Sequence, residues 1–67
     1  MRKSLEMYLV KKFGSDWTVY KYEQINAKDH KIELDFGDGE ILGVMVRERN
    51  GENGNYRISL EWDASED

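Results

Sequence analysis

Lys31-Ile32-Glu33-Leu34-Asp35-Phe36, followed at once by Gly37-Asp38-Gly39-Glu40, is the stretch on which the fold turns. Ile32, Leu34 and Phe36 alternate with Lys31, Glu33 and Asp35. That period of two sets one face of a strand against a core and the other in water. Gly37-Asp38-Gly39 offers the positive φ that a tight hairpin turn needs, so an antiparallel partner is expected directly downstream. Residues 40–49 fit that partner. Leu42, Val44 and Val46 fall on one side, and Ile41, Gly43, Met45, Arg47 and Arg49 on the other.

Working outward, residues 17–26 (WTVYKYEQIN) are rich in aromatic and β-branched side chains and read as a strand. Ala27-Lys28-Asp29-His30 reads as a polar connection, which makes the single histidine a solvated turn residue. Parity in the 17–26 strand is ambiguous. With Trp17 and Val19 inward, Tyr20 and Tyr22 project to the opposite face, unless a bulge switches sides midway. Downstream, residues 50–55 carry two Asn-Gly signals and read as a flexible loop. Tyr56, Ile58, Leu60 and Trp62 then alternate with Arg57, Ser59 and Glu61 in a last strand, 56–62, and residues 63–67 form an acidic tail.

Residues 4–13 read differently. Leu5, Tyr8, Leu9 and Phe13 fall on one stripe of a helix, with Ser4 as an expected N-cap and Gly14 at the C-cap position. So short a helix is marginal alone and must dock. The expected fold class is α+β: one domain, with an N-terminal amphipathic helix packed on a four-stranded antiparallel meander sheet. A small SH3-like barrel with a helical lid is the alternative. The expected core is Leu9, Phe13, Trp17, Leu34, Val44, Ile58 and Leu60. A two-layered domain leaves one sheet face uncovered, and function is expected there.

Composition narrows the function. The 67 residues contain no cysteine, no proline and one histidine, which excludes disulfides, thiolate nucleophiles and cysteine-ligated metals. No apolar run is long enough for a membrane helix, and no signal-peptide core is visible, so an intracellular, cytoplasmic protein is expected. The net charge of −4 hides a division. Residues 1–14 hold four bases against one acid, for +3; residues 15–67 hold six bases against thirteen acids, for −7.

Catalytic patterns are weak. His30 has only Asp29 as a certain neighbour, and the serines lack a nucleophile-elbow context, so no enzyme and no cofactor are expected. Asp35, Asp38 and Glu40 flank the hairpin glycines, but their spacing is not that of a calcium loop, and no metal is expected. Overall acidity argues against nucleic acid, although Tyr20 and Tyr22 beside Arg47, Arg49 and Arg57 could stack bases. Tyr, Met and Arg are also the residues that anchor protein interfaces. The expected activity is therefore protein binding, acting as an inhibitor that occupies a basic or nucleic-acid-binding surface of a partner. Tyr20, Tyr22, Met45, Arg47 and Arg49 are the expected contacts, and Glu33, Asp35, Asp38 and Glu40 the electrostatic contributors. Single-strand binding through the two tyrosines, and a homodimerising module, are the alternatives.

Overall fold

A computed structural model describes residues 1–49 and 55–65. Helix α1 spans Lys3–Phe13, and strands β1 Thr18–Gln24, β2 Asp29–Asp35, β3 Ile41–Glu48 and β4 Tyr56–Asp63 follow it. The strands form one antiparallel sheet in the order β1-β2-β3-β4, with α1 packed on one face. This is the α+β meander expected from the sequence. It is not a closed barrel: β1 and β4 are the two edges. The Asn-Gly loop falls, apart from Asn55, outside the described residues, as do the last two residues of the tail.

The hairpin that anchors the reading forms as its residues dictate. Gly37 and Gly39 take φ of 90° and 85°, and the Phe36 N–H closes the turn on the Glu40 carbonyl. The Asp35 and Asp38 carboxylates accept hydrogen bonds from the Gly37 and Glu40 N–H groups at 2.8 and 3.2 Å. Such aspartates hold a turn through their own backbone. The β1–β2 turn uses the same device: the Asn26 side-chain oxygen accepts from the Lys28 and Asp29 N–H groups.

Leu5, Leu9, Ile32, Leu34, Val44 and Val46 are fully buried between helix and sheet, with Tyr56 beside them. Phe13, Trp17, Phe36, Leu42 and Ile58 pack partly buried around that cluster. Three expectations are corrected. Ser4 is not the N-cap: Arg2 occupies that position without a side-chain cap, and the Ser4 hydroxyl instead pairs with the Tyr56 hydroxyl at 2.7 Å. His30 is not in a solvated turn, because β2 begins at Asp29 and carries His30 inward to 3 % exposure. Leu60 is not core but 58 % exposed.

The Leu60 discrepancy has a local cause. Val46 pairs with Ile58, yet Met45 pairs with Leu60, so Ser59 is an extra residue in β4. A bulge of this kind reverses the side-chain alternation beyond it. Tyr56 and Ile58 therefore face the helix, whereas Leu60 and Trp62 turn to the open face with Met45 and Gly43. A second bulge lies in β1: Val19 pairs with Leu34 and Lys21 with Glu33, leaving Tyr20 extra. Both edge strands are thus interrupted, a feature that discourages edge-to-edge pairing with another sheet.

Candidate functional site

Two arrangements concentrate polar and aromatic groups, one on each face of the sheet. Beneath the start of α1, His30 and Glu48 are both buried, at 3 % and 6 % exposure. The Tyr22 hydroxyl meets His30 Nδ1 at 2.8 Å, and Glu48 Oε1 lies 3.8 Å from His30 Nε2. Arg2 donates to Glu48 Oε2 at 3.0 Å, and this bond, with the carboxylate's charge, raises the Arg2 guanidinium above its usual range. Tyr56 completes the group, edge-on to His30 and tilted against Tyr8. A buried carboxylate is tolerable only with such partners. The cluster clamps the helix N-terminus to β3 and β4, and its one imidazole is enclosed between Tyr22 and Glu48.

The open face is the second arrangement. Tyr20, raised by its bulge, is 56 % exposed, and Leu60 is comparably bare. The indole of Trp62 lies over Gly43, with the Lys31 ammonium 5.8 Å from its ring centroid, within cation–π range. Tyr20, Lys21, Glu33 and Trp62, with residues 63–65, line a shallow open-sided depression of about 650 Å³. Lys21 stands opposite Glu33, and Glu23 opposite Lys31, in cross-strand pairs of opposite charge. At one edge of the depression, the backbone N–H and hydroxyl of Ser65 hold the Asp63 carboxyl below the ordinary aspartate range.

The expected site residues divide between the two faces. Tyr20, Met45, Arg47 and Glu33 share the open face, with Asp35 at its hairpin end. Arg49 follows β3 at the opposite end, and Asp38 and Glu40 lie exposed in the hairpin. Arg47 reaches Asp29 at 3.9 Å. Tyr22 does not join Tyr20: beyond the bulge it pairs with Ile32 on the helix side and is bound to His30. The two-tyrosine platform expected from simple alternation is therefore not assembled. Trp62 and Leu60 are the residues that alternation missed. Gly43 was the available signal, since a glycine inside a strand marks a close approach by a neighbour.

Among the described residues, no group of three or more histidines and carboxylates is gathered to hold a metal ion, and no helix is long and apolar enough to cross a membrane. No protein-family model matches the chain, and no curated protein sequence or solved structure is significantly similar to it. Fold and site together define an α+β domain with one covered sheet face and one open, aromatic-bearing face.

Proposed function

We propose that this domain is a non-enzymatic protein-binding module that docks through its open sheet face. One observation carries the reading: the β4 bulge turns Leu60 and Trp62 onto the face that the helix leaves bare, where Met45 and the exposed Tyr20 of β1 also lie. Leaving apolar side chains in water is unfavourable by roughly 25 cal/mol for each Å² that a partner could cover. Aromatic anchors at the centre of a charged rim are the usual anatomy of an interface. The carboxylates at the hairpin end, Asp35, Asp38 and Glu40, favour a basic patch on the partner. Seated on a nucleic-acid-binding surface, the module acts as a competitive inhibitor.

The test is capture of partners from a lysate of the native cell by the immobilised protein and three variants. Leu60→Asp removes capture and Met7→Asp, on the outer side of the helix, preserves it. The triple reversal Asp35→Lys, Asp38→Lys, Glu40→Lys weakens capture about tenfold or more and flattens its salt dependence. Equal capture by all four proteins overturns the reading.

A further inference from the structure

Charge on the open face is segregated by end. The β2–β3 hairpin end presents Asp35, with Asp38 and Glu40 exposed in the turn just beyond it. The opposite end presents Arg47 facing Arg57 across β3 and β4, with Arg49 just beyond. Asp29 offsets part of Arg47, and Glu23 lies on the distant β1 edge, so among the described residues that end stays basic around Arg49 and Arg57. Between the two ends lie Tyr20, Met45, Leu60 and Trp62, together with the cross-strand pairs Lys21–Glu33 and Glu23–Lys31, whose charges offset one another.

A surface with an aromatic-bearing middle of balanced charge, an acidic end and a basic end is complementary to itself. Two copies can stack face to face about a twofold axis in one of two simple ways. An axis parallel to the strands sets acid over acid and base over base, which is repulsive. An axis across the strands runs the two sheets antiparallel, so that each hairpin end covers the partner's Arg49–Arg57 end. Charge therefore selects the second arrangement. Pairing of the sheets edge to edge is opposed by the bulges at Tyr20 and Ser59.

We propose that the open face pairs with a second copy of this chain in this antiparallel, face-to-face orientation. The proposal rests on the reading of that face as the docking surface and adds what covers it in the free protein. Four strands about 4.8 Å apart and about 25 Å long offer roughly 500 Å² per copy, or about 1,000 Å² in all. Stable interfaces begin near that size, so the dimer is weak and concentration-dependent, and another partner can displace it. Dimer and heterocomplex then compete for Trp62 and Leu60.

Sedimentation velocity from micromolar concentration to about 1 mM, at about 20 and 500 mM NaCl, tests the pairing. The wild type doubles its mass with concentration, and salt weakens the association about tenfold or more. Leu60→Asp is monomeric throughout. The variant Arg47→Glu, Arg49→Glu, Arg57→Glu is monomeric alone, and so is Asp35→Lys, Asp38→Lys, Glu40→Lys. An equimolar mixture of the two dimerises, because each then supplies the charge the other lacks. Asp35 and Asp38 hold the hairpin turn, so circular dichroism accompanies that variant, and the arginine variant and Leu60→Asp suffice without it. A dimer that persists in the arginine variant or in Leu60→Asp overturns the proposal. A wild type that stays monomeric at about 1 mM also overturns it. If capture of other proteins still depends on Leu60, only the pairing fails; if it does not, the docking face fails as well.

Discussion

The Trp62 indole lies across Gly43, its cross-strand neighbour, in the space that a Cβ on residue 43 would occupy. The glycine is therefore a seat for the tryptophan, and the open face keeps its shape only while that seat is empty. Gly43→Ala forces the indole away or strains β3, at a cost of about 1–3 kcal/mol, as for other overpacked sites. In a Trp17→Phe background, which leaves Trp62 as the only tryptophan, the emission of Gly43→Ala shifts to the red and the melting temperature falls. Unchanged emission and unchanged melting would contradict the contact.

The β4 bulge separates two leucines that alternation treats alike. Leu34 is wholly buried, and Leu34→Ala should cost about 2–5 kcal/mol in urea unfolding. Leu60 stands in water, and Leu60→Ala should stay within about 0.5 kcal/mol of the wild type. A large loss at Leu60 would mean that β4 continues its alternation without the extra residue.

His30 depends on Tyr22 for its hydrogen bond at Nδ1, while its Nε2 has no hydrogen-bond partner among the described residues. Tyr22→Phe leaves both ring nitrogens without one. A buried polar atom stripped in this way costs about 1–3 kcal/mol, which should appear as a lowered urea midpoint with an unchanged slope. Tyr20→Phe, on the open face, leaves that midpoint where it was.

Asp63 supplies a pH dependence with a definite sign. Hydrogen bonds from the Ser65 backbone and hydroxyl favour its charged form, so its carboxyl titrates below the ordinary aspartate range in the folded chain. The unfolded chain then binds the proton more readily, and stability rises with pH across that interval. This contribution is fully present above the unfolded value near 3.8 and is lost as pH falls through the depressed folded value. Carbon-detected NMR should show Asp63 titrating late on acidification. Ser65→Ala moves the midpoint upward only part of the way, since the backbone N–H remains.

Much of this architecture is written in local pattern. The 31–36 alternation, the Gly37-Asp38-Gly39 turn and the Leu5–Leu9 stripe each specify an element without distant help, and all three formed. The bulges are less legible, because an extra residue at Ser59 or Tyr20 changes no composition and appears only in the register with a neighbour. His30 reads as a surface residue because polar side chains usually are, and Glu48, on the parity of Val44 and Val46, has no partner visible in its local sequence. What carries them inward is pairing with Tyr22 and Arg2, residues distant along the chain for Glu48 and across a turn for His30. Tyr20, Met45 and Glu33 could be placed on the open face from strand parity, whereas Trp62 and Leu60 needed the register.

Site-specific photocrosslinking measures most directly whether the open face is the docking surface. A benzophenone side chain at position 60 should give adducts in the native cell, whether to a second copy or to another protein, and the same group at position 7 should give none. Adducts from position 7 with none from position 60 would place the docking surface on the helix and contradict the reading.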